Sequence, residues 1–234
     1  MDASATSHQN VYMSERASDD PAQNLAPAYF IDSDAPEILA LVARHCAGSD
    51  SPAAKARVLF RAVRDGWRYD PYSVVTDREQ YRASAIAEKD RGFCVPKAIL
   101  LTAVARAAGI PARVGFADVK NHLASPKLRE LMQTDLFVFH GYTEMFLDGR
   151  WLKATPAFNA ALCERFGVAP LEFDGSSDAL LHAFNGRGQQ YMEYVHDRGT
   201  FADFPFEDML AAFREHYPFW RNVEKVRDDA FHSE

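Results

Sequence analysis

Apolar residues recur at helical spacing in two segments near the start of the chain. The first segment follows Asp34, where residues 34–37 resemble a capping box with Glu37 three positions after the cap. The second begins at Ser51, a helix-capping residue followed by a proline, and ends at the Asp-Gly pair 65–66. This pattern predicts two amphipathic helices, followed by a long connection with at most one short helix over residues 83–88.

The segment 94–108 is apolar on almost every side, which is typical of a buried helix. Gly109 follows it and predicts that the helix ends with this glycine in the left-handed conformation. A strand over 113–119 and a short helix beginning at Ser125 are expected next. Residues 94–119 therefore predict a buried helix that turns directly into a strand.

The clearest strand pattern lies in residues 137–155. Two β-rich segments flank Asp148-Gly149, the pair typical of a two-residue type I′ hairpin turn. This turn pairs Leu147 with Arg150, and counting outward from it pairs Tyr142 with Thr155. Because side chains alternate along a strand, His140, Tyr142 and Thr155 are predicted to share one face.

Two further helices, over 160–166 and near 207–216, complete the pattern. The mixture of helices and antiparallel strands predicts one α+β domain over residues 28–234. Residues 1–27 are polar and lack apolar periodicity, so we expect an arm that is either flexible or lies over the domain as a strap.

Composition and charge argue against several classes of protein. The chain has 33 acidic and 26 basic residues and no basic cluster, which disfavours nucleic-acid or anionic membrane partners. No apolar run is long enough to span a bilayer, and the first ten residues do not resemble a signal peptide. The three cysteines are far apart and odd in number, which predicts reduced thiols and a cytoplasmic protein. Gly186-Arg187-Gly188 is too short for a phosphate-binding loop, and no cofactor is expected.

Cys94 is the first candidate for a catalytic residue, because it stands at the start of the predicted buried helix. A helix N-terminus carries partial positive charge and free N–H groups, which stabilise a thiolate. Lys97, one turn further, would add positive charge if it pointed the same way. We therefore expect a thiol more acidic than that of free cysteine. The alternative is a buried cysteine acting as a small hydrophobic residue, which is our interpretation of Cys46 and Cys163.

A nucleophilic thiol needs a base within hydrogen-bond reach, and this base is usually histidine. Of the eight histidines, His140 is the strongest candidate, because a predicted strand holds it in place. Asn121 and His122 follow the strand after the buried helix and are candidates for substrate contacts, as is Tyr142 beside His140. An equally compatible interpretation of residues 121–122 is a loop that leads into the helix at Ser125.

Three stretches of sequence together resemble the bacterial transglutaminase-like superfamily. They are Gly92-Phe93-Cys94, the segment RAAGIPAR over 106–113 and the strand HGYTE over 140–144, within a similarity that covers roughly residues 55–160. The resemblance implies a papain-like core, in which the central helix carrying the cysteine packs on an antiparallel sheet. It also implies Cys94 as nucleophile and His140 as general base and acid.

The chain departs from this family at the third catalytic residue. The family usually has an aspartate after the second hairpin strand, often followed by proline, and here that position is Thr155. The predicted register makes Thr155 the diagonal neighbour of His140, so its hydroxyl could accept a hydrogen bond from the imidazole. Glu144 shares the face but lies about 13 Å along the strand, and Asn159 is the next candidate.

Two classes of function remain open. The first is a cysteine-dependent acyl-transfer enzyme, in which Cys94 forms a thioester with a small-molecule, peptide or acyl substrate. Hydrolysis of an amide, peptide or ester is favoured, and a C–C bond-cleaving or cyclising acyl reaction is an alternative. The second is a non-catalytic ligand- or protein-binding module with a degenerate triad. A metal site formed by Cys94, His122 and His140 is a weaker third possibility, because the spacing is not diagnostic. The oligomeric state and the substrate's identity are left open.

Overall fold

The computed structural model describes residues 14–122, 124–183 and 185–220. The helices are α1 (Pro36–His45), α2 (Pro52–Gly66), α3 (Ala83–Ala87), α4 (Cys94–Ala107), α5 (Pro126–Met132), α6 (Ala160–Phe166) and α7 (Phe206–His216). The strands are β1 (Arg68–Tyr69), β2 (Arg91–Gly92), β3 (Ala112–Asn121), β4 (Leu136–Leu147), β5 (Arg150–Ala154) and β6 (Met192–Phe201). In this part of the chain, no helix is long and apolar enough to cross a bilayer.

Helix α4 lies at the centre of the fold, as its apolar sequence predicts. All residues from Val95 to Arg106 are buried, and the helix contacts α1, α2 and α3 as well as β3 and β4. Its polar side chains have partners: the Thr102 hydroxyl lies 3.0 Å from that of Thr143, and Arg106 donates to backbone carbonyls. A helix apolar all round can be buried on every side because these few polar groups are hydrogen-bonded.

The main sheet is antiparallel with strand order β5-β4-β3-β6. The predicted hairpin is confirmed, since Asp148 and Gly149 both have positive φ angles and Leu147 pairs with Arg150. The ladder ends one pair before the predicted partner of Tyr142. At Thr155 the chain leaves β4, and the Thr155 N–H donates to the carbonyl of Ala179 instead. The predicted α+β fold, with helices packed on an antiparallel sheet, is confirmed.

Two details of the sequence prediction differ from the structure. The capping box at residues 34–37 is wrong, because α1 begins at Pro36 and its N-cap is Ala35, which has no capping side chain. The predicted cap at Ser51 is confirmed, with its hydroxyl accepting the Ala54 N–H at 3.1 Å. Strand β6 was not predicted, because it lies at the edge of the sheet, five of its ten residues are exposed and its sequence does not alternate apolar and polar residues.

Residues 14–27 lie against the domain as a strap. The Ala17 N–H donates to the carbonyl of Thr200 on β6, and Asp19 forms an ion pair with Arg113 at 2.9 Å. Asn24 is completely buried. Residues 1–13 of the predicted arm lie outside the described residues, and the domain boundary near residue 27 stays a prediction.

The turn after α4 provides a test of this fold. Gly109 has a φ of +80°, and a Cβ atom built there meets nothing within 4 Å. Gly109→Val should therefore lower the free energy of unfolding by roughly 1–2 kcal/mol through backbone strain alone. Gly66→Val is the matched control, because Gly66 is also in open space but has no positive φ. Equal melting temperatures for the two variants would contradict the observed end of α4.

Candidate active site

Cys94 occupies the first position of α4, where a helix has unpaired backbone donors. Phe93 precedes it as the N-cap and offers no capping side chain, and Pro96 in the first turn has no N–H at all. The backbone N–H groups of Cys94, Val95 and Gly141 lie close enough to the thiol to stabilise its negative form. The start of α4 and strand β4 thus supply the donors around the sulfur atom.

The contact between α4 and β4 at this point is very close. A Cβ atom at Gly141 would lie 3.0 Å from the Cys94 carbonyl oxygen, the Val95 Cα and the Ala98 Cβ. The backbone atoms could not easily give way, so glycine is the residue that permits this approach. His140 immediately precedes Gly141, and the close contact therefore places Cys94 beside the backbone of the histidine's own strand.

The His140 side chain is buried and uncharged at neutral pH. Only 4% of the residue is exposed, and its Nε2 atom makes no hydrogen bond. Burial lowers the pKa of the imidazole to about 4, because the charged form would lose its hydration. A neutral imidazole can accept a proton, so the structure is compatible with the general base predicted from the sequence.

The expectation of an acidic thiol at Cys94 is wrong for this structure. Burial raises the pKa of the thiol to about 11, and the three nearby N–H groups only partly oppose this rise. The apolar surroundings thus raise the thiol pKa more than the N–H groups at the helix N-terminus lower it. Residue spacing alone did not reveal these surroundings.

Lys97 does not add positive charge to the site. Its ammonium group donates to the backbone carbonyls of Arg64 and Trp67, both at 2.7 Å, and thereby caps the end of α2. The side chain is fully buried there, which lowers its pKa to about 7. Although Lys97 lies one turn after Cys94 on α4, its side chain points away from the thiol, towards the end of α2.

An apolar cavity of about 60 Å³ lies beside Cys94, and Cys94 forms part of its wall. The cysteine is itself partly exposed. Aliphatic and aromatic side chains form the rest of the wall. They are Tyr69, Pro71, Val74, Phe93, Leu128, Leu131, Met132, Phe137, Val138, Phe139, Phe213, Tyr217, Phe219 and Trp220.

Thr155 lies where the missing aspartate is expected, but it does not hold the imidazole. It is 1% exposed, and neither its hydroxyl nor the Nε2 atom of His140 makes a hydrogen bond. The predicted direct hydrogen bond is thus absent from this structure, because β5 leaves β4 before Thr155. Its role as an orienting residue stays a prediction.

Tyr194 on β6 is a neighbour of His140 that sequence reasoning missed. The two rings meet edge to face, with centroids 6.4 Å apart. Burial raises the pKa of the Tyr194 hydroxyl, while the adjacent Thr155 hydroxyl and the N–H of Leu181 lower it. Tyr194 thus lies beside both His140 and Thr155. No sequence pattern indicated it, because β6 itself was not predicted.

A bulge in the sheet holds the backbone just before His140. Phe139 has a φ of +57°, which is rare for a bulky residue, and its N–H donates to the Asp118 carboxylate at 3.1 Å. Arg198 binds the same carboxylate at 2.6 and 2.9 Å, and its guanidinium lies over the Phe139 ring. Three strands supply these residues, so their spacing in the sequence could not reveal the cluster.

The predicted substrate-contact residues are separated. Tyr142 is buried, and its hydroxyl donates to Asp197 at 3.3 Å. Asn121 lines a second cavity together with Tyr69. His122 lies 3.3 Å from the Glu193 carboxylate. The structure gives no test of substrate contacts at these three positions, which stay predictions.

The remaining alternatives for the third residue have other partners. The Asn159 side-chain oxygen accepts the Tyr69 N–H at 3.1 Å, and Glu144 forms a buried ion pair with Arg113 at 2.7 Å. Both are thereby occupied away from His140. Within the described residues, no three His, Cys, Asp or Glu side chains are grouped as metal ligands.

Comparison with known proteins places these elements in a family. A family model described as the transglutaminase-like superfamily matches residues 40–156, half of the chain, and this segment contains Cys94, His140 and Thr155. No curated protein matches the chain significantly.

Two solved structures show weak similarity. One is named a "putative cysteine protease" from Cytophaga hutchinsonii and has 19% identity and a TM-score of 0.46, over 60% of this chain and 43% of that chain. The other is the periplasmic domain of TgpA from Pseudomonas aeruginosa, with 23% identity and a TM-score of 0.41, over 58% and 47% of the two chains. The match spans less than half of each structure. On the family match over half of its length, the chain belongs to the transglutaminase-like superfamily.

Proposed function

We propose that the protein is a cysteine-dependent acyl-transfer enzyme that hydrolyses an amide, peptide or ester bond. The observation that carries this proposal is the position of the Cys94 thiol between the N-terminus of α4 and the N–H of Gly141, the residue that follows His140 on β4. A thiol held beside helix donors and a histidine on a neighbouring strand is suited to nucleophilic catalysis. Membership of the superfamily supports the same chemistry.

The reaction begins from two neutral groups. Burial moves the pKa of Cys94 up and that of His140 down, so neither a thiolate nor an imidazolium is favoured at neutral pH. His140 therefore takes the thiol proton while the sulfur attacks the carbonyl carbon. The S–C bond forms, and the N–H groups of Cys94 and Val95 stabilise the developing negative charge.

The second half of the reaction releases the products. When the tetrahedral intermediate collapses, His140 returns the proton to the leaving amine or alcohol, and a thioester remains on Cys94. Water, deprotonated by His140, then attacks the thioester carbon. The S–C bond breaks, the acid is released, and His140 returns the proton to the Cys94 sulfur. No further cofactor is needed to balance these steps.

Thr155 is proposed to act once His140 becomes charged. An imidazolium has two N–H donors, and the buried Thr155 hydroxyl, which lies beside that of Tyr194, has oxygen lone pairs with which it can accept one of them. A neutral hydroxyl stabilises the cation less than the family's aspartate would, so we expect a slower enzyme rather than an inactive one.

The second candidate is a binding module that has kept the fold without catalysis. Two observations favour it: threonine stands at the aspartate position, and no hydrogen bond joins Thr155 to His140. A cytoplasmic location is part of our proposal in either case, and the three unpaired cysteines support it.

Covalent labelling distinguishes these two functions. The folded protein is treated with a panel of peptidyl and acyl chloromethyl ketones, and the modified cysteine is identified by mass spectrometry. An enzyme should be labelled at Cys94, and His140→Ala should slow this labelling at least tenfold at pH 7. Cys46 and Cys163 in the same protein serve as internal controls. Labelling of Cys94 that is indifferent to His140 would support the binding module instead.

The raised pKa of Cys94 predicts how its alkylation depends on pH. Only the thiolate reacts with iodoacetamide, so the rate at Cys94 should rise about tenfold per pH unit from pH 7 to 10 without a plateau. Free cysteine, with a pKa of about 8.5, is the reference and should level off above pH 9. A plateau for Cys94 below pH 8 would show that the thiol is ionised in the resting enzyme.

Thr155→Val tests the orienting role. Loss of one neutral hydrogen bond, about 0.5–1.5 kcal/mol, should slow turnover roughly two- to tenfold. The free energy of unfolding should change little, because the Thr155 hydroxyl makes no hydrogen bond to the backbone and has only the Tyr194 hydroxyl beside it.

Thr143→Val is the matched control for this variant. The Thr143 hydroxyl donates to the Ala98 carbonyl at 2.9 Å, so its loss should lower stability instead. Thr155→Asp restores the family's usual residue and should keep activity at or above the wild-type level. Wild-type turnover in Thr155→Val would remove Thr155 from the mechanism.

A further inference from the structure

The cavity beside Cys94 has an unusual wall for a site that handles a polar bond. Among the described residues, none of the side chains that line it is charged. The polar side-chain groups of the wall are the Cys94 thiol, the hydroxyls of Tyr69 and Tyr217 and the indole N–H of Trp220. Tyr217 is already engaged, because its hydroxyl accepts the Val138 N–H at 2.7 Å.

This wall disfavours the binding of a charged substrate group. A carboxylate or ammonium group that entered the cavity would lose its hydration and would find no ion of opposite sign. An apolar group would instead replace water against aromatic and aliphatic side chains. Each methylene buried in this way is worth about 0.8 kcal/mol, a factor of about four in rate or affinity.

The size of the cavity limits the group that it accepts. Its volume is about 60 Å³. A water molecule occupies about 30 Å³, so the space corresponds to about two groups of this size. It is far smaller than the cavity of about 150 Å³ that holds a benzene ring in an engineered protein.

The position of the sulfur decides which half of the substrate enters. In the proposed reaction the acyl carbon becomes bonded to the Cys94 sulfur, whereas the leaving group departs. Cys94 is part of the cavity wall and is also partly exposed. An acyl chain bonded to this sulfur can therefore lie in the cavity, with the leaving group and the incoming water outside it.

We propose that the cavity selects the acyl chain of the substrate, and that this chain is short, uncharged and aliphatic, with two or three carbon atoms beyond the carbonyl group. The proposal rests on the proposed function, since it requires that Cys94 forms an acyl-enzyme. It adds the class of acyl group, which neither the family nor the catalytic residues determine.

A series of p-nitrophenyl esters tests this selectivity with a constant leaving group. The Cys94 thiol adds to the ester carbonyl, the C–O bond breaks, and p-nitrophenol leaves with the thiol proton passed through His140. The series comprises acetate, butanoate, octanoate and hemisuccinate, the last being butanoate's analogue with a terminal carboxylate. The acylation rate of Cys94 is divided by that of free cysteine to remove intrinsic reactivity.

The expected order follows from the size and polarity of the wall. Butanoate should acylate Cys94 about tenfold faster than acetate, because two more methylene groups are buried. Octanoate should gain nothing over butanoate, and hemisuccinate should react at least a hundredfold more slowly than butanoate. Mass spectrometry of the intact protein shows whether the acyl group is retained on Cys94.

Two neighbouring valines supply a variant and its matched control. Val74 lines the cavity beside Cys94, whereas Val75 does not and instead faces two other cavities. Val74→Phe should fill the space and reduce the butanoate-to-acetate ratio at least fivefold. Val75→Phe should leave this ratio unchanged. The melting temperatures of both variants are measured. If either variant fails to fold, the ester series on the wild-type protein still tests the proposal.

The outcomes separate failure of this proposal from failure of the proposed function. If no ester leaves an acyl group on Cys94, both the acyl-transfer function and the acyl-chain proposal are overturned. If Cys94 is acylated but hemisuccinate reacts as fast as butanoate, the function stands and the acyl-chain proposal is overturned. An equal effect of Val74→Phe and Val75→Phe on the ratio would also overturn it.

Discussion

The first turn of helix α4 lies directly on strand β4, and the rest of the site depends on this contact. Gly141 permits it, because any side chain there would meet backbone atoms of Cys94 and Val95 at 3.0 Å. The same contact brings a third N–H group to the sulfur atom and places His140 one residue away. The burial of α4 on every side leaves the helix little freedom to shift.

The apolar surroundings then determine the chemistry. They favour the neutral forms of both Cys94 and His140, so in the proposed reaction the proton moves during the attack rather than before it. Within the described residues, the Nε2 atom of His140 is one of four buried side-chain polar atoms that lack a hydrogen-bond partner. Unpaired buried polar atoms are rare in folded proteins, so this one favours a functional explanation.

The parts of the fold that depend on local sequence were predictable. The hairpin follows from Asp148-Gly149, and the buried helix with its glycine end follows from the apolar run and Gly109. The positions of Cys94 at the start of a helix and of His140 on a strand were predicted correctly, because both kinds of position can be recognised from sequence.

The parts that depend on contacts between distant segments were not predictable. Strand β6 is a polar edge strand without a hydrophobic pattern, so Tyr194 was missed. The Phe139 bulge requires Asp118 and Arg198 from two other strands. The acidity of Cys94 was misjudged because helix position is visible in sequence, whereas the apolar cavity forms only when α4, α5, α7 and β4 come together.

The protonation state of His140 tests the central claim most directly. Nitrogen-15 NMR of histidine-labelled protein, titrated from pH 8 to pH 3.5 and assigned with His140→Gln, reports whether the ring is neutral. We expect a neutral imidazole throughout the neutral range and a midpoint near 4, because burial opposes its charge. A midpoint at or above 6.5 would show that the folded protein does not disfavour the imidazolium, and would contradict the neutral state of His140 on which the proposed reaction rests.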